Sequence, residues 1–224
     1  MRRKTAGIPV LLLAIATLSG CQAFFTTSLG SSLARDTITV PADISNAEAA
    51  AILAGEPSDA MLESLLAVLN DQAAAGDTGA ATLAAEAAIS VSGASETIMS
   101  TVSEVIATST PPTDISALVA ALQSGAAATG VVPALDRLSD PEVRSGLEPT
   151  ELIVAAVLLA TSALDAHGVD VSDPASPTGD LANYKLDPAV TLALQLAQDA
   201  AAALPAGSAG ASMADMLASF FPME

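Results

Sequence analysis

The chain has no tryptophan, one tyrosine and four phenylalanines in 224 residues, so aromatic side chains make up 2% of it. A sugar-binding cleft built on stacked rings is therefore a poor expectation. Histidine occurs once, as His167, so a Ser-His-Asp arrangement would have a single possible base, and no G-x-S-x-G accompanies it. Cysteine also occurs once, as Cys21, which excludes an intramolecular disulfide. Basic residues are scarce: of seven, three lie at Arg2, Arg3 and Lys4, leaving Arg35, Arg137, Arg144 and Lys185 against 25 acids. Beyond residue 20 the net charge is thus −21. Such a surface repels phosphate backbones, which argues against a nucleic-acid partner. No S-x-x-K precedes Lys185, and no Walker loop, post-strand G-x-G-x-x-G or H-E-x-x-H occurs. The sequence points to no catalytic residue and no cofactor, and the chain reads as a non-enzyme.

What is present is alanine and helical periodicity. Hydrophobic residues reach 51%. Alanine supplies much of that fraction, so helices must approach closely to gain packing contacts. Ser45-x-x-Glu48 fits a capping box for a short helix ending at Gly55. Ser58 or Asp59 opens the next, with Met61, Leu62, Leu65, Leu66 and Leu69 as its stripe and Glu63 and Asn70 facing away. After Gly76–Gly79 an alanine-rich helix carries Leu83, Ala87 and Val91, and Ser95 caps a segment with Ile98, Val102, Val105 and Ile106 on one face, stopped by Pro111-Pro112. Thr113 or Asp114 caps a helix with Ile115, Leu118, Val119 and Leu122 at i, i+3, i+4, i+7. A shorter helix begins at Pro133.

Glu151 to Ala166 is apolar all round in its first three turns, and its length before Asp165 suits a buried central helix better than a membrane span. His167 follows, placed to meet the last carbonyls and the negative end of the helix dipole. Gly168 to Leu186 reads as a loop, and Asp187-Pro188 as cap and first residue of a long helix through Leu204. Ser212 opens a last helix with Met213, Met216, Leu217, Phe220 and Phe221 along its apolar edge. The expected fold is all-α, an irregular multi-helix bundle of short alanine-rich helices. Starts near 45, 78, 114 and 150 also resemble the spacing of tetratricopeptide-type helical hairpins, so a helical-hairpin solenoid is the alternative, although the residue signature of that repeat is absent.

Two surfaces are candidates for recognition. Tyr184, flanked by Leu181 and Leu186, is one, since tyrosine is favoured as a binding anchor. The Met213, Met216, Phe220 and Phe221 edge is the other. The competing reading for both is core, because an apolar stripe at helical spacing usually packs inside its own domain. Asp165, Asp170, Asp173, Asp180 and Asp187 are the best calcium candidates, but they lack EF-hand spacing and read as a solvated loop, so no metal site is expected.

The first 21 residues carry the strongest signal. A basic head, an apolar run from Ile8 to Leu18, and Leu18-Ser19-Gly20-Cys21 occur in order. The last four resemble the bacterial lipobox. That resemblance implies cleavage before Cys21, acylation of its thiol, and attachment of the protein to a membrane. The following FTTSLGSSLARD, residues 25–36, with the alanine-rich body behind it, resembles a group of uncharacterised spirochaete lipoproteins. That likeness implies a helical lipoprotein at the periplasmic face of a membrane or the cell surface, and carries over no catalytic residue. The expected organisation is a signal peptide over 1–20, a lipidated Cys21 and tether over 21–44, and one all-helical domain over 45–224. The expected function is a membrane-tethered, non-enzymatic module that docks a protein partner. The alternative is a carrier enclosing a lipid or other apolar molecule.

Overall fold

Capping chemistry sets where the helices begin. The computed structural model describes residues 39–55, 57–98, 116–170 and 178–205. Thr39 aside, these belong to the compact unit Val40–Glu224. Helix α1 (Asn46–Leu53) opens on the expected capping box: the Ser45 hydroxyl accepts from the Glu48 N–H at 3.3 Å and the Glu48 carboxylate from the Ser45 N–H at 3.1 Å. Helix α2 (Asp59–Ala74) follows Ser58, whose side chain makes no capping bond. Asp77 caps α3 (Thr78–Ser92) by accepting from the Ala80 N–H at 2.9 Å.

Gly93 ends α3 in the left-handed region, at φ +62°, and helix resumes at once over 94–98. Ser95 therefore lies inside that turn and does not begin it. Val102, Val105, Ile106 and the Pro111-Pro112 stop lie outside the described residues. Helix α4 (Ser116–Ala126) buries Leu122 and Ala126. Helix α5 (Val131–Asp136) starts two residues ahead of Pro133 and runs into a 3-10 turn, Arg137–Ser139. A proline is tolerated there because the first-turn N–H groups have no partner within the helix.

Two proline starts were not anticipated. Asp140-Pro141 opens α6 (Pro141–Arg144), and Glu148-Pro149 opens α7 (Pro149–Ala166), where the Glu151 carboxylate accepts from the Glu148 N–H at 2.8 Å. The stretch expected to be loop from Gly168 onward contains helix α8 (Leu181–Leu186), capped by Asp180. Asp187-Pro188 starts α9 (Pro188–Ala203) as expected. Among the described residues all regular structure is helical except one isolated antiparallel bridge, Asp170 to Thr178. The fold is an all-α multi-helix assembly.

Helices α3 and α7 are the centre. Helix α7 packs against α3, α4, α5 and α9, and buries Leu152, Ile153, Val154, Leu158 and Leu159. By length and mean hydropathy (1.5) it could cross a membrane, but 56% of it is buried in the body, as a core helix requires. The one buried hydroxyl on it, Thr161, donates to the Val157 carbonyl. Helix α3 packs against α1, α2, α4, α5, α6 and α7. Its buried face is Ala80, Ala81, Ala84, Ala85, Ala87, Ala88 and Ile89, whereas Leu83 and Val91 are only half-buried. Small side chains let six elements converge on one helix.

Gly125 of α4 shows how close the approach is, since a Cβ there would overlap the Ser92 carbonyl. Contact between α3 and α7 also joins the second and fourth sequence intervals directly. Separate hairpins that touch only their neighbours would not do so, and the arrangement is an irregular bundle.

The packed body begins earlier than its first helix. Val40 and Ile44 are buried, the Val40 N–H donates to Ser64 Oγ at 2.9 Å, and Gln72 Nε2 donates to the Ala42 and Ile44 carbonyls at 3.0 Å. Residues 40–44, read from sequence as the end of the tether, are pinned to α2 and belong to the domain. Asn70 likewise does not face solvent: it is half-buried and its Nδ2 donates to the Gly130 carbonyl at 3.1 Å.

Candidate functional site

The side chains with most chemical character gather where α7 ends and α8 and α9 begin. His167 is the C-cap of α7, so its position follows from the apolar run before it and from Gly168, which takes φ +59°. Its Nε2 lies 2.8 Å from Asp187 Oδ2, with both side chains about one-fifth exposed. The other oxygen of the same carboxylate accepts from the Ala189 N–H at 2.8 Å and caps α9. The His167 carbonyl accepts from the Asp180 N–H at 3.4 Å. Asp180 in turn caps α8 through the Asn183 N–H at 3.2 Å and holds the Asn183 amide at 2.6 Å. Those bonds, with a smaller contribution from His167, keep the Asp180 carboxyl below the usual carboxylate range.

Tyr184 lies beneath this corner at 5% exposure, packed in a small cluster with Ala163, Val169, Val190 and Leu194. It is core and not an exposed anchor, because α8 turns its ring inward. Burial, reinforced by the charge of Asp187, pushes its phenol upward. Leu186, its neighbour on α8, is the large hydrophobic residue left in solvent, at 79% exposure. Asp136 at the end of α5 also feels Asp187: burial first, then that like charge, raises its carboxyl above the ordinary value.

The five acids read as a possible cation site are spent differently. Asp180 and Asp187 cap helices, Asp165 is exposed, Asp170 makes a backbone bridge, and Asp173 lies outside the described residues. Among the described residues no cluster of three or more histidine, cysteine or acidic side chains is placed to hold a metal ion. Cys21 and the Met213, Met216, Phe220 and Phe221 edge also lie outside the described residues.

A second polar junction was missed from sequence. Arg144 Nε pairs with Asp199 at 3.0 Å, and its Nη1 donates to the Leu138 carbonyl at 3.3 Å. Turned so that its oxygen faces the guanidinium, the Gln195 amide accepts from Arg144 at 3.2 and 3.1 Å. One arginine thus ties α6 to the 3-10 turn and to α9. Arg137 does similar work, its Nη2 donating to the Asn70 backbone carbonyl of α2 at 3.4 Å. The signal that could have found both is scarcity: in a chain this acidic, two of four remaining basic residues lie seven apart.

Chemically, the α7–α8–α9 corner offers one imidazole held by one carboxylate that is already engaged as a helix cap. That arrangement orders three chain segments, and both partners are satisfied without a substrate. Comparison with known protein families, with curated proteins and with solved structures finds no match to this chain.

Proposed function

We propose that this chain is a membrane-tethered lipoprotein whose acidic helical domain serves as a non-enzymatic protein-interaction module. The observation that carries this reading is Leu18-Ser19-Gly20-Cys21 behind a basic head and a short apolar run. Acyl chains on Cys21 would anchor the domain, since a surface of −21 repels anionic headgroups and cannot adhere by charge. Confinement to a membrane raises the effective concentration of the domain for partners on the same surface. The charge favours a partner presenting a basic face. The non-enzymatic part of the reading draws support from His167 and Asp187, whose polar atoms are engaged in holding helix ends.

The test has two stages. Metabolic labelling with a radioactive fatty acid is expected to mark the native protein and not Cys21→Ala, with the variant moving from the membrane fraction to the soluble one. Label retained on Cys21→Ala would sink the lipoprotein reading. In-cell crosslinking of the native form, followed by mass spectrometry, is then expected to capture one dominant protein whose yield falls when exposed acids are neutralised. A lipid-sized mass retained on the purified domain, with no protein captured, would replace the docking module with a carrier.

A further inference from the structure

We propose that the His167–Asp187 contact is a proton-operated clasp that holds α8 more tightly at pH 5.5 than at pH 7.5. The geometry stands apart from the lipoprotein reading. One imidazole joins three segments: it terminates α7, its carbonyl receives the first N–H of the α8 cap, and its Nε2 meets the carboxylate that caps α9. A neutral ring with its proton on Nε2 makes a single ordinary hydrogen bond to Asp187. A protonated ring makes a charge-assisted one and also meets the negative end of α7.

The surrounding charge has the sign this requires. Asp165 lies on α7 itself, Asp170 on the bridge, Asp180 at the head of α8, Asp187 at the head of α9 and Asp136 at the end of α5. The nearby cations do not compete: Lys185 on α8 is exposed, and Arg137 beside Asp136 is turned to the Asn70 carbonyl. Tyr184 is the remaining titratable group at the corner, and its phenol stays protonated throughout this range. Because His167 is the chain's sole histidine, it is the side chain whose ordinary titration falls between pH 5 and 8.

Six residues of helix depend on this clasp. Helix α8 is held inward by Tyr184 and by half-buried Leu181, with Leu186 already in solvent. Loosening the corner adds the tyrosine ring to that exposed leucine and creates an apolar surface at higher pH.

The molecule supplies its own reporter. There is no tryptophan and Tyr184 is the single tyrosine, so tyrosine emission reads this corner alone. On the full chain, amide exchange over residues 178–190, corrected for the intrinsic pH dependence, is expected to be about 5- to 10-fold more protected at pH 5.5 than at pH 7.5, since one unit of proton linkage is a factor of ten. Acrylamide quenching of the tyrosine should rise over the same interval. His167→Gln keeps an amide at the position without a titrating charge and should show equal protection at both pH values. Asp187→Asn preserves a capping side chain and should shrink the pH effect even if the glutamine variant folds poorly. A flat wild-type profile, or a pH effect that persists unchanged in either variant, would overturn the proposal.

Discussion

Glu86 shows what a single side chain costs this fold. It sits half-buried in the middle of α3, and its carboxyl is raised from the ordinary 4.5 first by burial and then by Glu151 on α7. A folded-state value above the unfolded one means the group contributes most when protonated, and that contribution is lost as pH rises through the folded value. Glu86→Gln should therefore be more stable than the wild type at pH 7, with the gap closing toward pH 4. Urea midpoints of both proteins at the two pH values measure it, and a gap that stays constant with pH would refute the assignment. Glu86 was invisible in the sequence because helical periodicity does not say which polar position a second helix will cover. Tyr184 illustrates the same limit. An aromatic beside Leu181 and Leu186 suits a core or an anchor equally, and only the turn of α8 sends it inward.

At the scale of elements, local chemistry was legible and facing was not. The Ser45–Glu48 box and the Asp187-Pro188 start lie where their residues put them, since caps act within a few bonds of the backbone they satisfy. Asp140-Pro141 and Glu148-Pro149 carry the same signature, so α6 and the true start of α7 were readable by the same rule. Helix α3 was misread in a more instructive way. Its largest apolar residues, Leu83 and Val91, suggested the inward face, yet the core lies along its alanines. Six neighbouring elements leave room only for methyl groups. Ala84→Leu should then destabilise by about 1–3 kcal/mol through overpacking. Leu83→Ala, trimming a half-buried residue, should cost about 1 kcal/mol or less, since full burial of a leucine contributes only about 1.5–3. Denaturant melts of the two variants in parallel decide the matter, and the reverse ranking would mean the helix is rotated from the orientation described.

At the scale of the whole molecule the dominant fact is charge. With 25 acids against four basic residues beyond position 20, the folded body repels itself. Two of those four, Arg137 and Arg144, are placed between elements where each serves several acceptors. Added salt should accordingly stabilise the protein. Raising ionic strength from roughly 0.01 to 0.15 M shortens the Debye length from about 30 to 8 Å. If that relieves about 1 kcal/mol of repulsion, Tm should rise by about 2–4 °C for a domain of this size. Calorimetry across the salt series tests this, and a falling Tm would show that the arginine bridges outweigh the general repulsion.

The amino-acid sequence by itself determined the helical class, most helix starts, the acidic surface and the burial of α7, because composition, period and caps are properties of neighbouring residues. Tertiary structure alone decided that α3 presents alanine to the centre, that Val40 and Ile44 are core, and that His167 meets Asp187 across twenty residues. Each of those depends on what another segment brings to the same place. In a chain whose apolar residue is chiefly alanine, side-chain size marks the inner face weakly, and the closeness of approach between helices selects it instead.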